Sequence, residues 1–86
     1  MTAKLPAITG KQLIRLLQKD GWEQRRKSNH GIALAKVCAD GRTLVTVVPD
    51  KRSALPAGTL ADILGPQQTQ LGRSGLAALI DKYGLR

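Results

Sequence analysis

The chain has 86 residues, enough for one small domain with a modest core and too few for a second. Its 14 Lys and Arg residues against 6 Asp and Glu give a formal net charge of +8, which is uncommon in so short a globular chain without a polyanionic partner. No segment approaches the roughly 20 apolar residues that a membrane-spanning helix needs.

Cysteine usage and the first residues bear on where the protein works. Cys38 is the single cysteine, so it has no internal disulfide partner, and this favours a reducing compartment. The first residues lack the apolar stretch of a secretory signal peptide. We therefore expect a cytoplasmic protein without membrane contact, formed by one domain over residues 1–86, of which 1–7 are a loose arm.

The first predicted element is a helix over residues 10–20. Thr9 and Gln12 have capping-box spacing, in which each side chain satisfies a free backbone N–H. Gly21 can take the left-handed conformation that ends a helix. The apolar residues recur at i, i+3 and i+4, as on a helix with one buried face, and they are Leu13, Ile14, Leu16 and Leu17.

A first strand is predicted over residues 22–27, followed by a turn over residues 28–31. Strict alternation predicts one face with Trp22, Gln24 and Arg26 and the other with Glu23, Arg25 and Lys27. We expect Trp22 to pack under the first helix. Asn29 and Gly31 tolerate the positive φ angles that tight turns require.

A hairpin is predicted next, with strands over residues 32–38 and 42–48. Asp40-Gly41 is a strong signal for a tight turn between them. Cys38 is expected to be a small buried residue of the second strand and not a nucleophile. The third strand is rich in β-branched residues and is stopped by Pro49.

Two further helices are predicted in the C-terminal third, joined by a polar connection over residues 67–73. The first has apolar residues at i, i+3 and i+4 before Gly65-Pro66, and the second is expected to be capped by Ser74 and closed by Gly84. The apolar positions are Leu60, Ile63 and Leu64 in the first helix and Leu76, Leu79, Ile80 and Tyr83 in the second. The order α-β-β-β-α-α predicts an α+β fold, with helices on one face of a three-stranded antiparallel sheet. The other face and the strand turns are then free for a ligand.

Residues 25–31 combine three consecutive cations with His30, the only histidine of the chain. A lone histidine is more often structural than catalytic, but this one lies in a polar turn and not on an apolar stripe. Histidine exchanges protons near neutral pH, and Arg and Lys suit phosphate. A histidine that takes the proton of a ribose 2′-OH lets that oxygen attack the adjacent phosphate, while cations stabilise the phosphorane. The segment therefore predicts RNA cleavage with His30 as general base and a 2′,3′-cyclic phosphate product.

The predicted RNA-binding residues are Arg25, Arg26, Lys27, Ser28, Asn29, Lys51 and Arg52. For the three consecutive cations the alternative is a solvated strand face without a ligand. One His, one Cys and scattered Asp residues give no ligand spacing for zinc or for a two-metal nuclease, so no metal or cofactor is expected. Gly58-Thr59 lacks the surrounding pattern of a phosphate loop and is expected to start a helix.

Four segments carry a resemblance to a known family. Residues 10–22 look like an opening helix with a Gly-Trp step, and Ser28-Asn29-His30 resembles a Gly-Ser-X-His motif. Residues 43–49 resemble a third strand, and residues 58–64 a Gly-Thr-Leu-X-X-Ile-Leu helix. In this order and spacing they are similar to the HicA-type toxins of bacterial type II toxin–antitoxin systems, over residues 10–64.

The resemblance implies a double-stranded-RNA-binding-like fold and metal-independent, ribosome-independent cleavage of mRNA, with His30 as the catalytic residue. It also implies a HicB-type antitoxin that covers the active face. Lys27 stands where the family often has glycine, and residues 65–86 extend past its usual last helix. A non-catalytic RNA-binding module of the same fold is the alternative. DNA binding is less favoured, because no helix concentrates the charge for groove entry.

The charge of the chain predicts the character of that antitoxin. We expect an acidic protein that covers residues 25–31 and binds through an apolar centre. Leu76, Leu79 and Tyr83 are the candidates for this centre if the last helix leaves them outside the core.

Overall fold

A computed structural model describes residues 7–29, 31–66 and 68–84. The elements in chain order are α1 (Gly10–Lys19), β1 (Glu23–Ser28), β2 (Gly31–Val37), β3 (Thr43–Val48), α2 (Ala57–Leu64) and α3 (Gly72–Tyr83). The strands form one antiparallel sheet in the order β1-β2-β3. The predicted α+β class, with a three-stranded antiparallel sheet and three helices, is confirmed.

Helix α1 begins with the predicted capping box. The Gln12 N–H donates to Thr9 Oγ1 over 3.1 Å, and the Thr9 N–H donates to Gln12 Oε1 over 3.0 Å. At the other end Gly21 has a φ of +101°, so it supplies the expected left-handed turn. Trp22 follows, with its backbone N–H donating to Leu17 O, and its side chain is buried, which confirms its packing under the helix.

The core lies between the helices and one face of the sheet. The buried positions of that face follow cross-strand pairs, with Ile32 opposite Val48 and Leu34 opposite Thr46. The helices contribute the aliphatic residues Leu13, Leu16, Leu17, Ile63, Leu64, Leu76 and Leu79. Full burial of such a side chain stabilises the fold by about 1.5–3 kcal/mol.

A β-bulge in β1 overturns the predicted alternation of that strand. Glu23 and Gln24 pair with Ala35 and Leu34, but the register then shifts, and Arg26 and Lys27 pair with Ala33 and Ile32. The bulge inserts one extra residue, Arg25, so every later side chain changes face. Arg26 therefore lies on the face away from the helices, whereas Gln24 and Lys27 lie on the helix-covered side. All six residues of β1 remain exposed.

The hairpin between β2 and β3 turns at Asp40-Gly41 as predicted. Asp40 accepts hydrogen bonds from the backbone N–H and from Nε of Arg42, each over 3.0 Å. Cys38, however, is half-buried and follows the end of β2. The backbone N–H of Cys38 donates to Arg42 O across the turn. The prediction that Cys38 is a buried residue of the second strand is therefore wrong.

Helix α3 begins at Gly72, before the predicted cap at Ser74. The chain is directed into the helix by Thr69, whose buried hydroxyl donates to Ile63 O over 2.7 Å and accepts from the Leu71 N–H. This anchor fixes an earlier start, and Ser74 makes no cap. Leu76 and Leu79 are buried in the core of the protein itself, so they are not available as the apolar centre of a partner interface.

Candidate nucleic-acid interface

The end of the sheet where β1 passes to β2 holds most of the predicted site. Ser28 pairs with Gly31, so only Asn29 and His30 separate the paired residues in the sequence. Ser28 Oγ donates to Gly31 O over 3.3 Å. Gly31 has a φ of +140°, and a Cβ at this position would overlap the Val48 carbonyl oxygen. Glycine is therefore required where β2 passes β3. His30, the predicted general base, lies outside the described residues.

The first turn of α1 reaches the same end of the sheet. A Cβ at Gly10 would overlap the Pro49 carbonyl oxygen, so helix and strand exit are in direct backbone contact. The Lys11 N–H donates to Lys51 O over 3.1 Å. Because both contacts involve backbone, the segment after β3 is held firmly beside α1.

Four cations and one carboxylate belong to the chain segments that come together at this end, and we call them the basic end cluster: Lys11, Lys27, Asp50, Lys51 and Arg52. Lys11 Nζ lies 2.9 Å from Asp50 Oδ1. This hydrogen bond, together with the charges of Lys11 and Lys27, lowers the pKa of Asp50 below its ordinary value, against an opposing effect of partial burial. Asp50 is thus ionised at neutral pH and orders the lysine beside it. Lys51 and Arg52 follow directly in the chain and are exposed.

The three consecutive cations of β1 do not form one surface. Arg25, at the bulge, has Nη2 3.4 Å from Glu23 Oε2, and both side chains are exposed. Arg26 lies on the face away from the helices, opposite Ala33. Of these three cations, only Lys27 affects the pKa of Asp50. The structure therefore places the charge of Lys27 near Asp50, which directly precedes Lys51 and Arg52 in the chain, and places Arg26 on the opposite face of the sheet.

Sequence reasoning missed Lys11 and Asp50 as parts of this site. Their ion pair joins residues 39 positions apart, and neither has a local motif. Asp50 does follow Pro49, the strand terminator, and Lys11 is in the first turn of a capped helix. Those two signals indicate element ends, but nothing in them indicates that the ends meet.

The site offers charge and hydrogen bonds in place of stacking surfaces. Trp22 is buried, and Tyr83 lies half-buried on α3 with Lys82 Nζ 5.2 Å from its ring centroid. A nucleic acid at this end would therefore be contacted through phosphate and sugar, without bases stacked on aromatic rings. Within the described ranges, no three His, Cys, Asp or Glu residues form a group able to hold a metal ion.

Comparison with known proteins found no matching family model, no matching curated protein and no matching solved structure. In the part of the chain that the structure describes, no helix is both long enough and apolar enough to cross a membrane. Any assignment of function depends on the residues of the chain itself.

Proposed function

We propose that this protein is an endoribonuclease of the HicA type, the toxin of a toxin–antitoxin pair, with a double-stranded-RNA-binding-like fold. It acts on mRNA in the cytoplasm, needs no metal, and uses His30 as general base. The observation that supports the proposal is the basic end cluster, because it lies at the sheet end whose paired residues, Ser28 and Gly31, bracket Asn29 and His30 in the sequence.

The proposed reaction is an internal transesterification of RNA. His30 takes the proton from a ribose 2′-OH, and the 2′-oxygen bonds to the adjacent phosphorus. The bond from phosphorus to the 5′-oxygen then breaks, and that oxygen leaves as a hydroxyl after it takes up a proton. The products are a 2′,3′-cyclic phosphate and a 5′-hydroxyl end. A positioned general base contributes about 10² to 10⁴ in rate.

The cations of the basic end cluster serve two steps of this reaction. Lys27, Lys51 and Arg52 bind phosphates of the substrate, and each phosphate contact releases condensed counterions. Charge on the phosphorane oxygens grows in the transition state, where fixed cations stabilise it more than in the ground state. Lys11 is held by Asp50, so it contributes a positioned charge at the start of α1.

Lys27 and Ser28 have separate proposed roles in residues 25–31. Lys27 replaces the glycine that is frequent in the family, and its charge is near enough to Asp50 to affect the pKa of that carboxyl group. Its proposed role is phosphate contact. Ser28 Oγ donates to Gly31 O, and we propose that Ser28 and Asn29 orient His30 toward the substrate.

Incubation of the purified chain with end-labelled RNA, with and without a chelator, tests this proposal. We expect cleavage at the same rate in both samples. RNA binding without cleavage would instead support the non-catalytic binding module, since the basic end cluster needs no histidine for binding. An RNA that is neither bound nor cut would contradict both functions.

A further inference from the structure

The face of the sheet away from the helices is apolar. Val37, Val45 and Val47 are the large hydrophobic residues exposed to solvent among those described, with 62%, 52% and 43% of their surface accessible. Val47 and Val45 lie opposite Ala33 and Ala35 of the central strand, and Val37 follows two residues after Ala35 on that strand. Val37, Val45, Val47, Ala33 and Ala35 therefore share one face. We call them the open face. Three exposed valines at adjacent positions of one sheet form a contiguous patch and not a scatter of single residues.

The open face is suited to a protein and not to RNA. Surfaces that bind nucleic acid are polar and strongly cationic, whereas contiguous exposed apolar patches mark protein contacts. Its residues are small or β-branched, so the face offers bases neither aromatic rings nor hydrogen-bond donors at side chains. The cations of the basic end cluster do not belong to this face: Lys27 lies on the helix side of the sheet, and Lys51 and Arg52 follow the end of β3.

The charges at the margin of the open face indicate the character of its partner. Glu23 lies within 3.4 Å of Arg25, and Asp40 within 3.0 Å of Arg42, so these two carboxylates are already paired. Arg26 lies on this face, and among the described residues no carboxylate is within ion-pair distance of it. Two copies of a chain with a charge of +8 would repel each other, which disfavours self-association through this face.

We propose that the open face is the docking surface for an acidic protein, which covers Val37, Val45 and Val47 with an apolar patch and places a carboxylate against Arg26. The identity of that protein as the antitoxin rests on the proposed function. Ser28 and Gly31 are paired at the end of the same face, so a partner seated there lies beside the two residues that flank Asn29 and His30 in the sequence. The buried leucines of α3 cannot provide this apolar centre, and the exposed valines replace them.

The test is binding of an acidic antitoxin of the HicB type, the partner that the proposed function implies, measured by titration calorimetry with purified proteins. The variant Val45→Lys/Val47→Lys disrupts the apolar patch, and Val45→Thr/Val47→Thr is a milder change that keeps β-branching. Ala78→Lys, at an exposed position of α3, is the control for added charge. Urea unfolding followed by Trp22 fluorescence confirms the fold of each variant.

We expect the lysine variant to lose at least about 30-fold in affinity, the threonine variant to lose less, and the control to bind as wild type does. Arg26→Glu should lower the association rate constant and make that rate constant less sensitive to salt concentration. Unchanged affinity of both valine variants, or no binding by the wild-type chain, would overturn the proposal. So would a homodimer in sedimentation velocity that Val45→Lys dissociates, because the occupant would then be a second copy.

RNA cleavage without the partner distinguishes this inference from the proposed function. The valine variants should cut RNA at the wild-type rate, because their side chains lie outside the basic end cluster. Absence of cleavage in every sample, with docking on the open face intact, would contradict the nuclease and leave the docking surface supported.

Discussion

Gly10→Ala tests how closely the first turn of α1 joins the segment after β3. A Cβ at Gly10 would overlap the Pro49 carbonyl oxygen and lie 2.9 Å from the carbonyl carbon and 3.1 Å from Lys51 N. These neighbours are backbone atoms, so the segment must move as a unit, and the hydrogen bond from Lys11 N to Lys51 O is strained or lost.

The magnitude follows from three effects. Overpacking costs about 1–3 kcal/mol, and loss of the hydrogen bond costs about 0.5–1.5 kcal/mol. Alanine returns up to about 1 kcal/mol as a better helix former. We therefore expect the free energy of unfolding to fall by about 1–3 kcal/mol. At roughly 1 kcal/mol per M of urea, the unfolding midpoint should fall by about 1–3 M.

Fluorescence of Trp22 is the assay, because it is the only tryptophan and is 3% exposed in the folded chain. Gly58→Ala is the matched control: Gly58 lies in α2, and a Cβ there meets nothing within 4 Å. This control should raise the free energy of unfolding by about 0.5–1 kcal/mol. A midpoint of Gly10→Ala at or above that of the wild type would refute the close contact of α1 with Pro49.

Two further predictions concern the basic end cluster. Replacing Lys27, Lys51 and Arg52 with alanine should flatten the slope of log K for RNA binding against log salt concentration by about 2–3. The control variant replaces three other exposed cations, Arg15, Lys19 and Arg73, and should change this slope far less. Equal changes in the two variants would mean that only net charge matters. The second follows from the lowered pKa of Asp50, which starts from an ordinary value of 3.8. Its pair with Lys11 stabilises the fold above that value and ceases to do so as pH falls through the lowered pKa, so Asp50→Asn should destabilise the chain more at pH 6 than at pH 2. An equal loss at both pH values, measured by urea unfolding, would contradict this.

The elements that the sequence predicts well are those determined by local chemistry. The capping box of Thr9 and Gln12 needs only four residues to act, and the Asp40-Gly41 turn needs two. Both are where they were expected. The bulge in β1 has no such signal, because every side chain of that strand is polar or charged. Because β1 has no apolar face to fix its register, the extra residue at Arg25 leaves no trace in the pattern of apolar and polar residues.

The candidate site was predictable in parts, since its residue types are local but its assembly is not. Residues 28–31 carry turn chemistry, and the structure confirms the pairing on either side of them. The meeting of Lys11 with Asp50 depends on how α1 packs on the strand exit, which no short segment encodes. The open face is a second feature that the sequence does not predict, because the alternation of Val45, Thr46 and Val47 separates two faces without showing which one the helices cover. Thr46 is in fact buried and donates to Gln68 Oε1 over 2.6 Å, and the two valines are exposed.

Cleavage of end-labelled RNA by the wild-type chain and by His30→Ala, both in chelator, tests the central claim most directly. The wild type should leave 2′,3′-cyclic phosphate ends and should fail to cut an RNA with a 2′-deoxyribose at the cleavage site. The variant should unfold at the wild-type urea midpoint and should cleave the RNA about 10²- to 10⁴-fold more slowly. Cleavage at the wild-type rate by folded His30→Ala, or cutting at the 2′-deoxy position, would contradict the assignment of His30 as general base.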